Sequence, residues 1–96
     1  MHLILGFGAT GASYLRYLNK KNIPSFIVDS RKNPPGLLEF KSLKEKDLFL
    51  GKFNLELLNQ VRKILVSPGV DYRNEILVSA RGKGIEIVTD LSLIHI

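Results

Sequence analysis

Short apolar runs alternate with amphipathic stretches along the whole chain. Five runs rich in Leu, Ile, Val and Phe are bounded by Gly, Pro, Asn or Asp, which predicts β-strands at residues 3–5, 24–29, 47–50, 63–66 and 85–88. The stretches between them predict helices at residues 10–21, 55–60 and 75–81, the last two beginning at Asn54 and Asn74 as caps. A short helical turn is expected at residues 37–40.

This alternation predicts an α/β fold with a five-stranded parallel sheet, because parallel strands need crossovers that cover both faces. Right-handed crossovers then favour a Rossmann-like three-layer fold with strand order 3-2-1-4-5. The chain shows no internal repeat and no interior linker, so one domain is expected over residues 1–90.

Composition narrows the class of protein further. The 96 residues include no cysteine, which excludes disulfides and thiolate metal sites, and the 45% hydrophobic content is typical of a globular domain. Neither a signal peptide nor an apolar run long enough to span a bilayer is visible, so we expect a cytoplasmic location. The net charge is +5, but the cations are dispersed, and no nucleic-acid partner is expected.

The string Gly6-Phe7-Gly8-Ala9-Thr10-Gly11, here named the glycine loop, lies between the first strand and the first helix. In this context the first glycine permits a tight turn, the second admits phosphates, and the third lets the helix pack on the strand. The helix N-terminus then favours an anion. Thr10 is either a plain N-cap or a donor to a phosphate. The loop therefore predicts a site for a diphosphate-bearing ligand.

Two further strings follow the second and fourth strands, and the fold would bring them to the same edge of the sheet as the glycine loop. Asp29 is either a ribose acceptor or a turn carboxylate, and Arg31 is either a phosphate ligand or a solvated loop residue. Ser67-Pro68-Gly69 is either a close approach to a ligand or a type II turn. No catalytic triad, metal site or P-loop is visible, and neither His2 nor His95 is a candidate for catalysis.

Taken together, these strings resemble the N-terminal domain of the Mur ligases, and in particular of those that add D-glutamate. The most specific matches are Asp29-Ser30-Arg31 with Asn33-Pro34-Pro35-Gly36, and Val66-Ser67-Pro68-Gly69. The resemblance implies that the domain binds the UDP part of UDP-MurNAc-L-Ala. The resemblance implies that the Ala9/Thr10 loop meets the diphosphate, that Asp29 and Ser30 meet the uracil, and that Arg31 lies beside the nucleotide. It also implies that Gly69, with Ser67 and Pro68, lines the opposite wall. The implied UDP-binding residues are Gly8, Ala9, Thr10, Gly11, Asp29, Ser30, Arg31, Ser67, Pro68 and Gly69.

The resemblance also implies an ATP-dependent, Mg²⁺-requiring ligase of peptidoglycan precursor synthesis, whose central ATPase and C-terminal domains are missing from this chain. The chain alone is expected to bind no cofactor and to be inactive. An NAD(P)-binding domain of an oxidoreductase or of a regulatory module is the alternative, because it shares the glycine loop and the acid. A third hypothesis is a non-catalytic interaction domain that keeps the fold but has lost the ligand.

The last six residues, Leu91-Ser92-Leu93-Ile94-His95-Ile96, depart from the family pattern. They match the translation of a common transposon-type sequencing adapter. We therefore hypothesise that residues 91–96 are not native.

Overall fold

The fold is a three-layer α/β arrangement around one parallel sheet. A computed structural model describes residues 1–40, 47–71 and 73–89. The sheet has five strands in the order β3-β2-β1-β4-β5, and every pair is parallel, which confirms the predicted topology. The elements in chain order are β1 (His2–Leu5), α1 (Ala9–Lys20), β2 (Ser25–Asp29), a 3-10 helix (Pro35–Glu39), β3 (Leu48–Leu50), a 3-10 helix (Leu55–Gln60), β4 (Lys63–Val66), α2 (Glu75–Gly82) and β5 (Glu86–Val88).

Alternate side chains of the central strands supply two apolar layers. On one face of the sheet Ile4 packs with Leu15 and Leu18 of α1. On the other face Leu3 and Leu5 pack in the cluster that includes α2 and the Leu55–Gln60 helix. Because both faces are covered, the central strands are apolar without alternation, as buried parallel strands are. The carboxyl ends of β1, β2 and β4 consequently meet at one edge of the sheet.

Several boundaries differ from those expected by about one residue. Helix α1 begins at Ala9 with Gly8 as its N-cap, so Thr10 lies in the first turn and the N-cap alternative for Thr10 is excluded. The predicted caps Asn54 and Asn74 are confirmed, since their side chains accept hydrogen bonds from backbone N–H groups two residues later. Ile85 lies outside β5 because its N–H donates to Ala80 at the end of α2 instead of to the sheet.

The last residue of the domain expected over residues 1–90 and the hypothesis on residues 91–96 fall outside the described part of the chain. Within the described part, no helix has the length and apolar character that crossing a bilayer requires.

Candidate functional site

The glycine loop turns sharply at its first residue and packs tightly at its last. Gly6 has φ +90°, a conformation that side chains disfavour, and its N–H donates to Val28 at 2.8 Å. A Cβ atom at Gly11 would lie 2.2 Å from the Gly6 carbonyl oxygen. The first and third glycines therefore serve the turn and the close packing of α1 on β1, as predicted.

Gly8 is different, because nothing in the fold requires a glycine there. Its φ of −91° and ψ of −153° are extended and open to any residue. A Cβ atom at this position would have its nearest neighbour, Arg31 Nη2, at 3.9 Å, which is an ordinary contact. Gly8 stands at the N-terminus of α1, where the first N–H groups have no partner within the helix. The missing side chain thus leaves these donors accessible to an anion.

The carboxyl end of β2 carries an ion pair between the buried Asp29 and the half-exposed Arg31. One carboxylate oxygen of Asp29 accepts from the backbone N–H and Nε of Arg31, at 2.8 and 2.9 Å. The other accepts from Phe7 N–H and from Arg31 Nη2, both at 2.7 Å. The side chain of Asp29 is 3% exposed, whereas that of Arg31 is 53% exposed. Asp29 therefore acts as a turn carboxylate in this structure, and Arg31 extends from it toward the solvent.

The electrostatics of this pair follow from its geometry. Burial by itself raises the pKa of Asp29, but the hydrogen bonds from the side chain and backbone of Arg31 and from Phe7 outweigh it and lower the pKa to about 2. The bond to Asp29 raises the pKa of Arg31. The pair is thus fully charged at neutral pH, and it places a fixed cation beside the glycine loop.

The turn after β4 is tied to the same loop. The Ser67 hydroxyl donates to the Gly6 carbonyl at 2.6 Å, and Val70 N–H donates to the Ser67 carbonyl at 3.1 Å. Gly69 has no positive φ and no atom within 4 Å of its missing Cβ, so the type II turn considered for this segment is excluded. Pro68 and Gly69 are exposed to solvent on the side of this turn.

These segments surround a cleft of about 500 Å³. Nine of the ten predicted site residues line it, and only Gly11 does not, because it packs against β1. The sequence reasoning missed several lining residues that carry no motif of their own. Asn74 was identified only as a helix cap, and Asp71, in an ion pair with Arg73, had no signal. The full lining is Leu5, Gly6, Gly8, Ala9, Thr10, Asp29, Ser30, Arg31, Ser67, Pro68, Gly69, Val70, Asp71 and Asn74.

The Asn33-Pro34-Pro35-Gly36 string does not line this cleft but supports the glycine loop from behind. Gly36 N–H donates to the Phe7 carbonyl at 2.8 Å, and a Cβ atom at Gly36 would lie 2.6 Å from that oxygen. Pro34 is fully buried. The string therefore has a packing explanation, and it does not by itself distinguish a UDP site from a dinucleotide site.

The cleft offers binding groups rather than reactive ones. The helix N-terminus, the Arg31 guanidinium, and the hydroxyl and amide side chains of its lining suit a phosphorylated ligand. The lining also has two carboxylates, Asp29 and Asp71, and each is paired with an arginine. Within the part of the chain that the structure describes, no group of three or more His, Asp or Glu side chains could hold a metal ion.

The chain matches a known protein family. Residues 1–89 match the family model "Mur ligase MurD-like, N-terminal domain". Similar relatives include the UDP-N-acetylmuramoylalanine–D-glutamate ligases of Shewanella oneidensis, 39% identical over 96% of this chain, and of Pseudomonas aeruginosa, 35% identical over 95% of it. The corresponding ligase of Nitrosococcus oceani is 38% identical over 95% of the chain.

The chain spans about a fifth of the length of these relatives, 21% of the first and 20% of the other two. The family match extends over nearly the whole described chain, from the first strand to the residue after β5. The glycine loop, the Asp29/Arg31 pair and the Ser67 turn all lie within it. The chain therefore belongs to the MurD-like Mur ligases, and it corresponds to their N-terminal domain.

Proposed function

We propose that this chain is the UDP-binding N-terminal domain of a ligase that adds D-glutamate to UDP-MurNAc-L-Ala in peptidoglycan precursor synthesis. The observation that carries the proposal is the meeting of three separate loops at one cleft. Gly8 supports it, because the fold leaves room for a side chain there and a ligand explains why none is present.

In this proposal each wall of the cleft has its own part of the ligand. Gly8, Ala9 and Thr10 at the start of α1 receive the diphosphate, where helix N–H groups and the helix dipole favour negative charge. The corner formed by Asp29, Ser30 and Arg31 borders the nucleoside. The half-buried Ser67 and the exposed Pro68 and Gly69 form the opposite wall, and Gly11 contributes by holding the helix against β1.

The reaction itself belongs to the remainder of a longer protein. In this proposal ATP and Mg²⁺ would be bound by central and C-terminal domains outside this chain, which spans only about a fifth of the relatives' length. Both carboxylates that line the cleft are paired with an arginine, Asp29 with Arg31 and Asp71 with Arg73. We therefore propose that the isolated chain holds the nucleotide sugar without catalysing its ligation, and that the complete enzyme works in the cytoplasm.

An NAD(P) site is the competing function, because it uses a similar glycine loop with an acid after the second strand. In such sites the acid accepts hydrogen bonds from ribose hydroxyls. Asp29 already accepts four hydrogen bonds from Phe7 and Arg31. This engagement argues against the dinucleotide function.

Titration of the 15N-labelled chain with UDP, UDP-MurNAc-L-Ala and NADH tests the proposal. We expect the two uridine ligands to shift the backbone amide signals of Thr10, Ser30 and Gly69, and to leave those of α2 beyond its first turn unchanged. NADH at the same concentration should shift none of the three. A response to NADH alone would overturn the proposal in favour of a dinucleotide site, and a response to none would favour an interaction domain without a nucleotide.

A further inference from the structure

The Asp29 carboxylate has no acceptor capacity left for a ligand. A carboxylate offers about four lone-pair sites, and four N–H groups already occupy them. With 3% of its side chain exposed, Asp29 is covered by the groups that it binds. A ligand hydroxyl or imide could reach it only by displacing Phe7 N–H or Arg31.

Arg31 retains the capacity that Asp29 lacks. A guanidinium has five N–H donors, of which Nε–H and one on Nη2 bind Asp29, so three remain. About half of the side chain is exposed, and Nη2 lies 3.9 Å from the point where a Gly8 side chain would begin. Two parallel bonds to one carboxylate fix the plane of the guanidinium. The free donors are therefore presented beside the glycine loop from a fixed position.

We propose that Asp29 is a positioning residue that accepts no hydrogen bond from the nucleotide and acts on it through Arg31. This inference rests on the proposed function, since it concerns how the same cleft holds UDP. A guanidinium that is already oriented loses less side-chain entropy when the ligand binds, which increases affinity. Phe7 N–H, bound to the same carboxylate, couples the orientation of Arg31 to that of the glycine loop.

A double-mutant cycle on UDP affinity separates this role from direct contact. In Asp29→Asn the amide oxygen can still accept from Phe7 N–H, but the amide NH₂ faces donors of Arg31. We expect Asp29→Asn and Arg31→Gln each to weaken UDP binding roughly tenfold, the order expected for hydrogen bonds to charged groups. The double variant should also lose only about tenfold, because both single changes remove the same contribution. A loss near a hundredfold would show that Asp29 contacts the ligand independently.

A second readout needs no variant and can be made before any ligand is added. The Arg31 Nε–H signal in 15N spectra should exchange slowly with water, because it is bound to a buried carboxylate, and it should stay protected when UDP is added. Loss of that protection on UDP binding would show that Asp29 has turned to the ligand, which overturns the inference. If Asp29→Asn does not fold, this spectrum decides alone. Absence of UDP binding to the wild-type chain would refute the proposed function, and with it a role for Asp29 toward UDP, while the ligand-free spectrum would still report whether the pair is formed.

Discussion

Gly8→Ala and Gly11→Ala add the same methyl group to one loop, and we expect opposite results. At Gly11 the methyl carbon would lie 2.2 Å from the Gly6 carbonyl oxygen and 3.3 Å from Ile4 Cγ2. That carbonyl cannot easily retreat, because it accepts the Ser67 hydroxyl at 2.6 Å. At Gly8 the nearest atom is 3.9 Å away, and the backbone conformation suits alanine.

The magnitudes follow from these distances. Overpacking usually costs about 1–3 kcal/mol, and a clash with backbone belongs at the upper end. At roughly 4–8 °C per kcal/mol for a small domain, Gly11→Ala should lower the Tm by about 12–24 °C. For Gly8→Ala the poorer N-cap costs up to about 1 kcal/mol, while the stiffer unfolded chain gains about 0.4–1 kcal/mol. These nearly cancel, so the Tm should change by less than about 4 °C.

For ligand affinity, in contrast to stability, the substitution at Gly8 is expected to have a large effect. A methyl group at Gly8 stands where the diphosphate would approach the N–H groups of α1, and we expect UDP affinity to fall at least tenfold, or about 1.4 kcal/mol. Thermal unfolding by circular dichroism and UDP titration by calorimetry measure the two effects. Gly82→Ala is the matched control, because its Cβ also meets open space but lies outside the cleft. It should leave the affinity unchanged, and because alanine suits a helix better than glycine, it should raise the Tm by a few degrees at most.

Two results would refute this reasoning. If Gly8→Ala lowers the Tm as much as Gly11→Ala does, the fold requires the second glycine and its absence of a side chain says nothing of a ligand. If Gly8→Ala folds normally and keeps its UDP affinity within about twofold, the diphosphate does not approach the loop at Gly8.

Three further predictions concern stability. Because the pKa of Asp29 is about 2 in the folded chain against 3.8 ordinarily, its contribution is present at neutral pH and lost as the pH falls from about 4 to 2. Because Arg31 is half exposed to solvent, this contribution stays below about 2 kcal/mol. The free energies of unfolding of wild type and Asp29→Asn, measured in urea across this pH range, should therefore converge at low pH. A constant difference between the two at every pH would contradict the prediction. Ser67→Ala removes the hydrogen bond from the hydroxyl to the Gly6 carbonyl and should lower the free energy of unfolding in urea by about 1 kcal/mol. An unchanged free energy of unfolding would show that this bond is not formed in solution. Asn74→Ala removes the cap of α2 and should cost about 1 kcal/mol, so an unchanged Tm would show that the cap is not formed.

The sheet could be predicted because its strands are buried on both faces. Continuous apolar runs mark such strands directly, and the order of the strands follows from the handedness of crossovers. The ends of the elements could not be predicted as well, since single hydrogen bonds decide them. Ile85 is as apolar as Ile87 and Val88 of β5, yet its N–H donates to the Ala80 carbonyl, and no pattern in the sequence reveals that choice.

The position of the site could be predicted, but not what each side chain does there. The carboxyl ends of parallel strands must meet, which places Asp29 and Ser67 near the glycine loop. The partners of Asp29 depend on tertiary distances, because Phe7 lies 22 residues before it in the chain. The sequence left ribose acceptor and turn carboxylate open, and the structure favours the second by filling the carboxylate with backbone and guanidinium donors.

The three glycines of the glycine loop therefore serve two different purposes. The fold itself requires Gly6 and Gly11. Gly6 has a positive φ, and any side chain at Gly11 would clash with the Gly6 carbonyl oxygen. A chain can need both of them without binding anything. Of the three, only Gly8 has an extended conformation and free space around it, so the fold favours its missing side chain only through the small preference for glycine over alanine at an N-cap. It follows that a chain which retained Gly6 and Gly11 but replaced Gly8 with a larger residue should keep this fold and, under the proposed function, lose its affinity for a diphosphate.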